Sequence, residues 1–256
     1  KIQAYNNDST AIVFDMSSVF LGDNKKMSPF DRNSIYGMYN RTENYQSDCS
    51  YISQIKAFKD NVSIKSCLSY TFSVSNSQGA SLIKDRPFTA EMTRSIMLLK
   101  EKPYRPRMAD YRIGVFFTGR EQLGEGAKTT APVYYANRWD IQPSDTAAYL
   151  RGEKVKPTKQ IVFYIDNTFP EKWKPYLREG VTQWNELFEQ IGFKDVVAAK
   201  DFPTDDPEFD PDNIKYSCVR YAPSSIENAM GPSWVDPRSG EILNASVYLY
   251  HNVIRS

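Results

Sequence analysis

The chain has 256 residues, with 41% hydrophobic and 25% charged, which is ordinary for a globular protein able to bury a core. Its 32 basic and 31 acidic residues leave a net charge of +1, so no basic field is present to attract nucleic acid or anionic lipid. No apolar run reaches the roughly 18 residues that a membrane-spanning helix needs.

The 17 Tyr and 14 Phe favour a β-rich fold. Residues 11–16 read as a short apolar strand, and 22–48, polar and aromatic, as loop or short helix. Residues 51–58 and 62–74 alternate apolar with polar around a turn at Asp60-Asn61, which predicts a hairpin. Ser75 to Pro87 reads as a polar connection, and 89–100 as a further strand. Pro103 and Pro106 exclude a central strand over 102–107, because proline donates no ladder hydrogen bond. Strands are expected again over 111–117 and 133–139, with a glycine-containing loop, Gly119 to Thr130, between them. Residues 141–157, polar with two prolines, read as an interdomain linker.

The continuous apolar run Gln160–Ile165 suits a buried strand. Asp166, Asn167 and Thr168 offer helix caps, and Pro170 suits a first turn. Trp173, Leu177, Val181, Trp184, Phe188 and Ile191 recur at three- and four-residue steps, which predicts one long helix to about Gln190. Gly192 fits its left-handed stop, and 196–199 the next strand. Strand, helix and strand of these lengths form a parallel βαβ unit with a right-handed crossover. Strands follow over 214–221, 229–235 and 242–250, the last two joined by the turn signal Asp236-Pro237-Arg238-Ser239-Gly240. The expected class is α+β. A β-rich domain over 1–157 precedes a mixed sheet with one long helix over 158–256.

Three cysteines, Cys49, Cys67 and Cys218, make no CxxC pair and no disulfide framework. A turn at Asp60-Asn61 would set Gln54, not Cys49, opposite Cys67, so buried free thiols are expected. Sequons stand at Asn7, Asn40, Asn61 and Asn244 and matter only in a glycosylating host. Asp201, Asp205, Asp206, Glu208, Asp210 and Asp212 offer oxygens for Ca²⁺, without the glycine and spacing of an EF-hand; a solvated loop is the competing reading.

Four stretches in colinear order resemble one family. They are Ser53–Val62, Tyr104–Phe117 with its Pro-Arg-x-x-Asp-x-Arg-x-Gly pattern, Tyr135–Asp140, and the block from Gln160 to Tyr250. Together they resemble the metzincin-like, secreted zinc-dependent metalloproteases of Bacteroides-type bacteria. Lys59 departs from the proline usual before the turn of the first stretch. The resemblance implies an accessory domain followed by the front half of a peptidase domain. It implies a protein or peptide substrate and a secreted, periplasmic or cell-surface location. It also implies that an antiparallel edge strand pairs with the substrate main chain. By chain order that strand is Met230, Gly231, Pro232, Ser233 and Trp234. Gly231 would admit a close backbone, and Pro232 suits an edge. The competing reading is a plain hairpin whose Gly and Pro blunt an edge.

A catalytic zinc needs three protein ligands. The family's His-Glu-x-x-His helix comes later in the chain than this block, and the only histidine here is His251. The expectation is a chain truncated before its zinc ligands and inactive alone, with its exposed sheet available for a dimer. The first residue is Lys1 and no signal peptide follows, so processing or a chosen boundary is expected to have set the start. Arg107, Asp110 and Arg112 read as an ion pair at the proline-rich bend, or Asp110 as a latency ligand for zinc. The alternative function is a non-catalytic peptide- or glycan-binding surface module with an aromatic-rich β domain.

Overall fold

A computed structural model describes residues 2–8, 10–24, 27–30, 39–123 and 130–254. Strand outweighs helix, 46% against 13% of residues, and the elements mix in several sheets, so the class is α+β and β-rich. The chain divides into two compact units, Lys1–Leu98 and Leu99–Ser256.

In the first unit, β1 (Ile2–Tyr5) and β2 (Ile12–Phe14) form an exposed hairpin, followed by the single turn α1 (Ser17–Phe20). Then β3 (Tyr39–Ala57), β4 (Asn61–Asn76) and β5 (Ser81–Met97) make an antiparallel meander with β4 central. The alternation in β4 sends Ile64, Ser66, Leu68 and Tyr70 to one buried face. Phe20 and Phe30 close that face, with Phe30 edge-on to Tyr70 at 5.0 Å. The Arg94 guanidinium donates to the carbonyls of Phe20 and Met27, both at 3.0 Å, and the Tyr45 hydroxyl to that of Leu21. One sheet face thus binds its cover by apolar contact and by satisfied backbone carbonyls.

The strands are longer than the alternation predicts. Tyr39–Asp48, expected as loop, is the first half of β3, and most of the expected connection 75–87 belongs to β4 and β5. The outer face is polar, so cross-strand pairs such as Ser69–Thr89 replace the hydrophobic signal. The parts of the expected loops at 25–26, 31–38 and 124–129 lie outside the described residues. The ladder starts at Ala57↔Val62, and irregular register between Ile52 and Gln54 then sets Tyr51 opposite Cys67 in place of Gln54.

In the second unit, β6 (Phe117–Gln122) and β7 (Ala131–Ala136) form a hairpin. The expected strand over 111–117 begins only at Phe117, because the Asp110 carboxylate accepts the Arg112 N–H at 3.0 Å and folds the stretch into a turn. The expected linker carries α2 (Thr146–Leu150), capped by Asp145, which accepts the Ala148 N–H at 2.9 Å. Ala148 and Val155 are buried with Ile161, Phe193, Val196 and Val197, so 141–157 packs into the core of the second unit.

The main sheet holds β8 (Ile161–Ile165), β9 (Val197–Asp201), β10 (Ser217–Ala222), β11 (Ala229–Met230), β12 (Ser233–Val235) and β13 (Ile242–Tyr250). Its order is β11-β13-β10-β8-β9, with β12 also on β13. β9, β8, β10 and β13 run parallel, and β11 and β12 are antiparallel to β13. The β8–β9 pair is the parallel unit that the lengths predict.

Its helical connection is broken into a 3₁₀ turn (Glu171–Trp173), α3 (Lys174–Thr182) and α4 (Asn185–Gln190). The break follows from Asn185. Its side-chain amide donates to the Val197 carbonyl and accepts the Val197 N–H, both at 2.8 Å, which ties the helix to β9. Trp173, Leu177 and Val181 pack on Ile165, Phe169 and Val219, whereas Trp184 and Ile191 are exposed beyond the break. Gly192 is the left-handed stop, at φ +87°. The opposite face of the sheet is covered by the segment after β9, where Phe209 and Tyr216 pack on Tyr164 at 5.1 and 5.3 Å.

Candidate functional site

The five candidate residues Met230, Gly231, Pro232, Ser233 and Trp234 are all exposed and sit on the terminal edge of the main sheet. Met230 pairs with Tyr248, Ser233 with Ala245 and Trp234 with Asn244, so β11 and β12 are one edge strand interrupted at Gly231-Pro232. The ladder fixes which backbone groups point where. Tyr250 donates to the Asn228 carbonyl at 3.3 Å and Ser246 to the Pro232 carbonyl at 3.0 Å. In an antiparallel pair the inward-bonded residues alternate. Residues 228, 230, 232 and 234 therefore face β13, and Gly231 and Ser233 turn their N–H and C=O groups outward. The missing donor of Pro232 faces β13, and the outward ladder loses nothing to it. A Cβ on Gly231 would meet only Val247 Cγ2, at 4.0 Å, so the space above it is open.

The other long edges are blunted. In the first unit Leu98 donates to the Asp60 carbonyl at 2.8 Å, and the register to Asn61↔Met97 follows. By the same alternation Pro87 and Glu91 turn their backbone outward on β5, where a missing donor and a charge discourage pairing. β3 carries two irregularities of register. The 229–235 edge has outward-facing glycine and serine instead.

A charged knot at the β12–β13 turn anchors this edge. Asp236, 1% exposed, accepts the Arg238 fork at 3.0 and 2.7 Å and the Arg238 backbone N–H at 2.8 Å. The Arg238 side chain holds the Asp236 carboxyl below its usual range despite burial. Arg238 also donates to the Lys100 carbonyl at 2.6 Å. Lys100 pairs with buried Glu241 at 2.6 Å, which raises the lysine above its ordinary value. Arg138 stacks on Tyr104 at 4.3 Å and donates to its hydroxyl at 2.9 Å. The backbone N–H of Arg138 donates to the Gly240 carbonyl at 3.0 Å. Gly240 stands at φ +74° against Ala136. Sequence reading singled out the Tyr135–Asp140 stretch and the turn, but not their pairing; nothing in either segment names its distant partner.

The remaining candidates are engaged locally. His251 Nδ1 and the Tyr221 hydroxyl share a 2.5 Å hydrogen bond, and the imidazole lies 5.8 Å from the Trp173 ring. Asp110 accepts the Arg112 guanidinium at 2.6 Å, which lowers its carboxyl below the usual range. In the acidic segment, Asp201 pairs with Arg178 at 2.6 Å and Asp212 with Arg220 at 3.4 Å. Asp206 and Asp210 accept backbone N–H groups at 2.9 and 2.8 Å. Among the described residues no three His, Cys, Asp or Glu side chains come together as a metal site. The three thiols are free: Cys49 exposed, Cys67 half-buried and Cys218 buried. Burial pushes Cys218 up to about 11. No helix of the described residues is long and apolar enough to cross a membrane.

Fold and site together define an α+β protein whose mixed sheet ends in an open antiparallel edge. Residues 1–144, more than half of the chain, match the family described as Domain of unknown function (DUF5117), and the chain belongs to that family. No curated protein and no solved structure matches it significantly.

Proposed function

We propose that this chain is the substrate-holding part of a secreted or cell-surface zinc-dependent metallopeptidase, with the zinc ligands outside these 256 residues. The observation that carries the reading is the 229–235 edge, which is antiparallel, exposed, and turned so that Gly231 and Ser233 offer N–H and C=O groups to an added peptide strand. The four parallel strands behind it and the colinear motifs around Asp110 and Arg138 support the same reading. A ladder of main-chain hydrogen bonds holds a peptide extended and is indifferent to most of its side chains. The described residues do not fit a catalytic zinc site. His251 is tied to Tyr221, and the described residues contain no ligand trio, so no hydrolytic step is assigned to them.

The test compares this chain with the longest natural product of its gene, by elemental zinc analysis and casein hydrolysis. The reading predicts zinc and hydrolysis in the longer product and neither in the chain alone. Hydrolysis by the metal-free chain that disappears in His251→Ala would overturn it, as would a longer product with neither zinc nor activity. The second outcome would favour a non-catalytic binding module.

A further inference from the structure

The second unit exposes an apolar face that its own fold leaves bare. Tyr111 is 98% exposed, Phe116 88%, and Met108, Ile113 and Phe117 more than half. The backbone beneath is fixed. Ala109 donates to the Tyr134 carbonyl, Ala136 to that of Arg107, and Asn137 to that of Phe116, each at 2.8 Å. Phe117 stands edge-on to Tyr134 at 5.2 Å. Five large apolar side chains exposed within ten residues of a backbone fixed in this way mark an interaction surface.

Charge says what covers it. Residues 99–120 carry six cations (Lys100, Lys102, Arg105, Arg107, Arg112, Arg120) and two anions (Glu101, Asp110), a net of +4. Of these, Arg105, Arg107 and Arg120 are exposed and flank the 108–117 stretch in sequence. The same unit carries the opposite pole. Residues 201–213 hold six carboxylates and no cation, a net of −6 in a chain of net +1. Asp201 and Asp212 are paired with arginines within the chain, while Asp205, Asp206 and Glu208 are exposed with no cation paired to them among the described residues. Phe202 and Phe209, 5.0 Å apart, hold that loop in place.

We propose that the 108–117 face docks a second copy of this chain, with the Arg105, Arg107 and Arg120 rim meeting the Asp205, Asp206 and Glu208 loop of the other molecule. A two-fold dimer uses the rim-to-loop contact twice. Aromatic and arginine side chains are the types enriched in such contacts, and complementary rims fix the register. The proposal does not depend on peptidase function, and its failure would leave that reading untouched.

Sedimentation equilibrium on this chain tests it. The expected result is a monomer–dimer equilibrium with a Kd on the order of 10 μM. It should weaken as salt rises from about 0.05 to about 0.5 M, which shortens the screening length from roughly 14 to roughly 4 Å. Phe116→Asp should weaken the dimer at least about tenfold, and so should Asp205→Lys/Asp206→Lys/Glu208→Lys. Combining that loop variant with Arg105→Glu/Arg107→Glu/Arg120→Glu in one chain should restore it. All these side chains are exposed, and unchanged thermal melts will confirm that the variants fold. A chain monomeric to about 100 μM, a dimer indifferent to the loop substitutions, or a charge swap that fails to restore it would overturn the proposal.

Discussion

Replacing Gly240 with alanine tests the anchoring of the edge strand through a single methyl group. Gly240 adopts φ +74°, and its added Cβ would lie 2.6 Å from the Ala136 carbonyl oxygen and 3.2 Å from its carbon. Both are backbone atoms, so no side chain can swing away. The left-handed conformation costs alanine about 1–2 kcal/mol. Relief of the clash must move residues 136–138, which strains two bonds, Arg138 N–H to Gly240 at 3.0 Å and Ile242 N–H to Arg138 at 2.9 Å. Each contributes about 1 kcal/mol. The sum is about 3–4 kcal/mol, or roughly 6–16 °C in Tm for a unit of this size. The assay is urea unfolding followed by tryptophan fluorescence. All four tryptophans, Trp139, Trp173, Trp184 and Trp234, lie in the second unit, so the signal reports on it alone. Gly231→Ala is the control, because its φ is ordinary and its nearest neighbour lies at 4.0 Å; it should shift stability by less than about 0.5 kcal/mol. A Gly240→Ala protein as stable as the parent, or a Gly231→Ala protein equally damaged, would refute the reasoning.

Gly180 sits exposed inside α3 with nothing within 4 Å of a new Cβ, so Gly180→Ala should raise stability by about 1 kcal/mol in the same assay. Asp236→Asn breaks the buried pair with Arg238, whose side chain is a third exposed, and should cost roughly 2–3 kcal/mol at neutral pH. The folded carboxyl titrates below its unfolded value, so its stabilisation is present above about pH 4 and is lost as pH falls through the lowered folded value. The gap between parent and Asn variant should therefore close in acid; a gap that persists would contradict the assignment. Cys218, buried and titrating near about 11, should resist thiol reagents at pH 8 until the sheet opens, whereas exposed Cys49 should react at once. Labelling of Cys218 as fast as Cys49 would disprove its burial.

Apolar patterning was sufficient for the elements at the centre of the main sheet. The run 160–165, its parallel partner at 197 and the final strand Ile242–Tyr250 were legible, as was the left-handed Gly192. Where a carboxylate or an amide competes with regular structure, the pattern misled. Asp110 turns an alternating stretch into an exposed bend, and Asn185 divides a helix whose apolar spacing reads as continuous. The long strands of the first unit were underestimated because their outer face is polar. At the candidate site, the edge residues could be named from order along the chain. Which of them face outward could not, since that depends on the register against β13. The charged knot was also invisible, because Lys100 and Glu241 meet across 141 positions.

The central claim, that the 229–235 edge receives a peptide main chain, is tested most directly by titrating the ¹⁵N-labelled chain with denatured casein and following backbone amides by NMR. A ladder of a few main-chain hydrogen bonds predicts weak binding, with a Kd on the order of 1 mM. The amides of Gly231 and Ser233 should shift while those of Met230 and Trp234 stay nearly fixed. Ser233→Pro, which removes an outward donor and no bond to β13, should abolish the response with the fold retained. Casein shifts that spare Gly231 and Ser233, or that survive Ser233→Pro, would contradict the account.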